Sequence, residues 1–131
     1  MNGAFAISQA DKRPMYLQIM EQIKERIAVG DWAPGQAIPS IRQLAADLQV
    51  SVITVKRAYL ELERDGIIVT QQGKGSQVAP TPGLGARLRE QELTQHLEQV
   101  MRIATQLGIR QKDLEERLRE AGDRVAEKET I

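Results

Sequence analysis

Residues 39–78 constrain this chain more than any other stretch. They run Pro-Ser-Ile-Arg-Gln-Leu-Ala-Ala-Asp-Leu-Gln-Val-Ser-Val-Ile-Thr-Val-Lys-Arg-Ala-Tyr-Leu-Glu-Leu-Glu-Arg-Asp-Gly, then Ile-Ile-Val-Thr-Gln-Gln-Gly-Lys-Gly-Ser-Gln-Val. Ser40, with Gln43 three residues on, has the pattern of a capping box. Ile41, Leu44, Ala45 and Leu48 then recur at helical spacing. Ser51 stands as a second N-cap, offering an oxygen to backbone N–H groups that lack a helical partner. The helix it opens is predicted from about Val52 to Asp65, stopping at Gly66. Its apolar side is Val55, Ala58, Tyr59 and Leu62. Ile53, Arg57 and Arg64 project the other way, with Thr54 and Lys56 on the flanks and Val52 near the buried edge. The β-branched run Ile67–Thr70 and the segment Ser76–Val78 make a hairpin around the loop Gln71-Gln72-Gly73-Lys74-Gly75.

The flanking segments are simpler. In residues 1–13, Phe5 and Ile7 alternate, as a tether or short edge strand would. Met15 to Val29 reads as a helix with the stripe Tyr16, Met20, Ile23 and Ile27, Pro14 at its start and Gly30 at its end. Asp31-Trp32-Ala33-Pro34-Gly35 is turn chemistry, and Ala37-Ile38 leaves room for a short strand. Pro80 to Gly85 reads as a linker by composition and marks a domain boundary. From Ala86 the pattern is helical again, with Leu93, Leu97, Val100, Ala104 and Leu107 in one stripe. Gly108 breaks it, and Leu114, Leu118, Ala121 and Val125 form a second.

The expected fold is therefore mainly α with a small β wing: a winged helix-turn-helix over 14–79, then a two-helix segment over 86–131. Two helices cannot enclose a core of their own. Their stripes call for a partner, and a second copy related by a twofold axis is the commonest kind. Leu93, Leu97, Val100, Ala104, Leu107, Leu114 and Leu118 are the candidate dimer interface. Leu60, partly outward on the preceding helix, is a further candidate for packing against that segment.

Composition excludes several classes. There is no cysteine, hence no disulfide framework and no thiolate metal site. No apolar run is long enough to span a bilayer, and no signal-peptide core stands near Met1, so a cytoplasmic protein is expected. His96 is the sole histidine and has no nucleophile or carboxylate partner in register. No P-loop, dinucleotide fingerprint or metal-ligand cluster occurs. The chain is not read as an enzyme and no cofactor or metal is expected, while a small-molecule effector is a possible partner whose identity the residues do not reveal.

Net charge is zero, from 18 basic and 18 acidic residues. That sum disfavours a nucleic-acid binder, but its distribution does not. Residues 48–60 and 66–80 contain no acid, while Lys56 and Arg57 are adjacent and Lys74 sits at the hairpin tip. Two capped helices and a basic hairpin suit double-stranded DNA: the second helix enters a major groove, braced by the first. Thr54, Lys56 and Arg57 can reach base edges or phosphates, and Ile53 suits a thymine methyl. Arg42 can reach across to the same groove or to its flanking phosphates, and the helix N-termini at Ser40 and Ser51 offer N–H groups to phosphate. Gly73 and Gly75 let the backbone around Lys74 approach DNA closely, with Gln72 beside it. A plain helical hairpin with a solvated basic face is the competing structural reading. A winged-helix module that binds protein instead of DNA is the competing functional one, with zero net charge in its favour.

These residues resemble the winged-helix domain of the GntR family of bacterial transcription regulators. The matching features are Pro14-Met15-Tyr16-Leu17-Gln18-Ile19, Gly30-Asp31-Trp32-Ala33-Pro34-Gly35, Ile38-Pro39-Ser40 and Arg42-Gln43-Leu44-Ala45. Val50 to Tyr59, Leu62 to Gly66 and Gln72-Gly73-Lys74-Gly75 complete the set. The short C-terminal segment, with no room for a metabolite-binding domain, resembles the YtrA-like branch. The resemblance implies a homodimeric, sequence-specific repressor of a near-palindromic operator, often controlling a transporter operon. It implies DNA contacts at Arg42, Val52, Ile53, Thr54, Lys56, Gln72, Gly73 and Lys74. Many members carry arginine where this chain has Val52 and Lys56. Valine cannot make a bidentate guanine contact, and lysine keeps the charge but loses the planar fork.

Overall fold

The computed structural model describes residues 12–129. Phe5 and Ile7, read as a tether or edge strand, lie outside the described residues. The elements in order are α1 (Met15–Ala28), α2 (Ile41–Leu48), α3 (Val52–Arg64), β1 (Ile68–Gln71), β2 (Gly75–Val78), α4 (Leu84–Leu107) and α5 (Gln111–Glu129). The chain falls into two compact units, one ending at Glu90 and one beginning at Gln91.

The first unit is a winged helix. The helix α3 packs against α1, α2 and β1, so it sits at the centre of the core. Ile19, Ile23, Leu44, Val55, Ala58, Tyr59, Leu62, Ile68 and Val78 are buried there. The α1 stripe is broader than the sequence reading had it: Ile19 is fully buried and Tyr16 only partly so. Tyr59 donates from its hydroxyl to the Pro39 carbonyl at 2.6 Å, which ties α3 to the chain leading into α2. Burial pushes the ionisation of that hydroxyl upward, so it remains a donor.

The wing is a two-stranded antiparallel hairpin with Ile68 opposite Val78 and Gln71 opposite Gly75. Each strand reaches one residue nearer the tip than the sequence reading placed it. A third short segment lies along β2: Ala37 bridges Gln77, and Ile38 N–H donates to the Ser76 carbonyl at 3.0 Å. The short strand expected at Ala37-Ile38 is thus reduced to a single bridge and one backbone hydrogen bond.

The linker read over 80–85 is shorter in the structure. Helix α4 starts at Leu84, and Leu84 and Leu88 are buried in the core of the first unit. Composition marked Pro80 to Gly83 correctly as non-helical, but not the two leucines that close the core. A side chain at Gly85 would place its Cβ 3.0 Å from the Ile27 carbonyl oxygen, so this position lets α4 approach the end of α1. Arg89 reinforces that contact with two hydrogen bonds to the Glu25 carboxylate, at 3.0 and 2.9 Å.

The second unit holds the rest of α4 and α5. The chain reverses at Gly108, whose φ is +71°, a value that favours glycine. Ile109 N–H closes the turn on the Ala104 carbonyl at 2.9 Å. α5 buries none of its residues. No helix among the described residues is long and apolar enough to cross a membrane.

Candidate nucleic-acid interface

The two serines perform the capping expected of them. Ser40 Oγ accepts from Gln43 N–H at 3.1 Å, and Ser51 Oγ accepts from Thr54 N–H at 3.1 Å. Between the helices, Gln49 takes a left-handed conformation (φ +56°), and Val50 N–H returns to the Ala45 carbonyl at 3.1 Å. Together these bonds define where α3 begins and which side chains its first turn presents.

That first turn is well exposed. Ile53 is 79% exposed and Val52 46%, so Val52 stands further out than the buried-edge position read from the sequence. The reason is its place as the first residue of α3, where no preceding turn covers it. Lys56 and Arg57 are exposed, as is Arg42 in the first turn of α2. Ser51 and Thr54 also share a hydroxyl–hydroxyl bond of 2.8 Å, so the cap and the candidate base-reader are coupled.

Arg57 is held differently from Lys56. Its guanidinium lies over the Tyr16 ring of α1, 3.9 Å from the centroid. The sequence reading assigned Tyr16 to the apolar stripe alone and missed this contact. Nothing local signals it, because the partners lie on different helices.

The wing is linked to α3 through side chains. Thr70 on β1 donates to the Glu63 carboxylate of α3 and also bonds Ser76 of β2 at 3.2 Å. At the tip, Lys74 N–H donates to the Gln71 carbonyl at 2.9 Å, and Gly73 has φ +83°. Gln72, Gly73 and Lys74 are all exposed. Arg42, Ser51 to Ile53, Lys56, Arg57 and the wing tip are thus exposed on three segments of one compact unit, with Thr54 half-buried among them.

Comparisons with known proteins settle the family. The description "Bacterial regulatory proteins, gntR family" matches residues 15–78. The HTH-type transcriptional regulator YhcF of Bacillus subtilis is 31% identical over 102 residues, 78% of this chain and 84% of that one. The chain belongs to the gntR family of bacterial regulatory proteins. Within that family, the transcriptional repressor YtrA of Bacillus subtilis is 41% identical over 73 residues, spanning 56% of each protein. A GntR family transcriptional regulator from Listeria monocytogenes has a TM-score of 0.74 at 30% identity, covering 84% of this chain and 96% of that one. AraR(DBD) in complex with operator ORX1 superposes with a TM-score of 0.51 at 31% identity, over 55% of this chain and 89% of that one.

The second unit presents the candidate interface residues unevenly. Leu93, Leu97, Val100, Leu107 and Leu118 are exposed, and Leu114 is partly buried. Ala104 is the correction: it is only 4% exposed within a single chain. It lies beside the reversal at Gly108, where the returning backbone bonds its carbonyl. Met101 and Ile103, absent from the heptad reading, are also exposed and widen the apolar face. Leu60 on α3 is 49% exposed. His96 is exposed, and no cluster of potential metal ligands occurs among the described residues.

Proposed function

We propose that this chain is a homodimeric transcriptional repressor that binds a near-palindromic DNA operator from the cytoplasm. Each copy inserts the start of α3 into a major groove and sets the wing tip against the adjacent backbone or minor groove. Two copies then read half-sites about one helical turn apart. The observation that carries this reading is the exposed first turn of α3, capped by Ser51, in a unit that also exposes Arg42, Lys56 and Lys74. None of these three cations has an ion-pair partner among the described residues, which leaves their charge for phosphate or base edges. The apolar face of α4 and α5 supports the second copy.

Charge reversal tests the contacts. Arg42→Glu and Lys56→Glu are each expected to weaken operator binding by about tenfold to a hundredfold and to flatten its salt dependence. Fluorescence anisotropy across a salt series, on a duplex selected from a random pool, measures both. Unchanged affinity and slope in both variants would remove these residues from the interface. The protein-interaction reading, favoured by zero net charge, instead predicts no salt-sensitive retention on heparin.

A further inference from the structure

We propose that Arg57 is a phosphate clamp and that Tyr16, on α1, is the residue that positions it. The inference rests on the DNA-binding reading and adds to it a residue outside the helix-turn-helix. The geometry comes first: the Arg57 guanidinium lies over the Tyr16 ring at 3.9 Å. A guanidinium has two chemically distinct surfaces. Its flat face stacks on an aromatic ring, while its N–H donors point outward in its own plane. Stacking on Tyr16 uses the face and leaves the donor edges free.

The surrounding charges leave Arg57 available. Glu61, one turn along α3, pairs with Arg64 at 3.1 Å. Glu63 is bonded to Thr70 of the wing. Both acids of α3 are therefore drawn elsewhere, and Arg57 has no ion-pair partner among the described residues. An exposed arginine side chain loses considerable rotamer freedom when it binds. Packing against a ring already seated on α1 removes part of that loss before DNA arrives. A phosphate oxygen fits this arrangement better than a base edge, because the ring holds the guanidinium back toward α1. Arg57 thus acts at the backbone, while Val52, Ile53 and Thr54 face the groove.

The test compares Tyr16→Phe, Tyr16→Leu and Arg57→Gln in the full chain. Binding is measured by anisotropy on the selected operator duplex and on a random-sequence duplex across a salt series. Tyr16→Phe keeps the ring and is expected to bind as the parent does. Arg57→Gln is expected to lose about one unit of the slope of log affinity against log salt, the share of one phosphate contact. Tyr16→Leu is expected to weaken binding on both duplexes, and combining it with Arg57→Gln is expected to add little. Thermal denaturation of each variant separates clamp from scaffold. An unchanged slope in Arg57→Gln overturns the proposal, even if Tyr16→Leu is less stable. Equal losses in Tyr16→Phe and Tyr16→Leu overturn the stacking role. Parent protein that binds neither duplex in a salt-dependent way defeats the DNA-binding reading itself, a result distinct from both.

Discussion

Ile19, Ile23, Val55, Leu62 and Val78 in residues 12–90 are fully buried, whereas Leu93, Leu97, Val100 and Leu107 in residues 91–129 stand 43–66% exposed. Both regions are helical and both carry regular apolar stripes. In the first, α1, α2, α3 and the wing surround one another, so each stripe meets a neighbour. In the second, α5 buries nothing, and the exposed face of α4 is too broad to be incidental. The same kind of apolar spacing thus closes a core within one chain in one place and is left exposed in the other, where the proposed second copy would cover it. In the proposed dimer that division would be useful, because pairing two DNA-reading units multiplies affinity.

The sharpest way to break this contrast is to charge the second unit. Leu97→Asp with Val100→Asp is expected to dissociate the proposed dimer, since the parent residues stand exposed in one chain. Losing the linked second copy should lower affinity for the palindromic site by about 10²–10⁴-fold. Sedimentation equilibrium and anisotropy check the two effects together. A double variant that still sediments as a dimer would place the interface elsewhere. The first unit should respond in the opposite manner. Leu62→Ala is expected to cost about 2–5 kcal/mol of stability by opening a cavity beside α3, measured by urea denaturation.

Smaller changes sharpen the same distinction. Ser51→Ala removes the α3 cap and is expected to cost about 1 kcal/mol, measured by urea denaturation. The smallest effect depends on pH. Burial raises the ionisation of Tyr59 above its usual value of 10.0, so the folded form holds its proton more tightly than the unfolded form. The resulting stability is present below about pH 10 and is lost as pH rises beyond it. Denaturation profiles of the parent should fall more steeply above that pH than those of Tyr59→Phe.

Much of the reading head was legible in the residues. Ser40 and Ser51 announced both helix starts, because capping needs only an oxygen a few residues from unpaired N–H groups. Glycines bounded the hairpin for a similarly local reason, although the strands proved one residue longer at the tip. Val52 was misjudged because a helical projection assumes turns on both sides, and the first residue has one only. Leu84 and Leu88 escaped because their partners lie far earlier in the chain. The contact of Arg57 with Tyr16 was invisible for the same reason.

By itself, then, the sequence determined the order of elements, their caps, the acid-free basic segments and the existence of two apolar stripes beyond Pro82. These depend on chemistry within a few residues. Only the tertiary structure decided that Leu84 and Leu88 complete the first core, that Arg57 rests on Tyr16, that Glu63 reaches the wing, and that Ala104 is already covered. The first two join residues distant in sequence and the last two join neighbouring segments across a turn, and helical or strand periodicity carries no information about which face of another segment will be met.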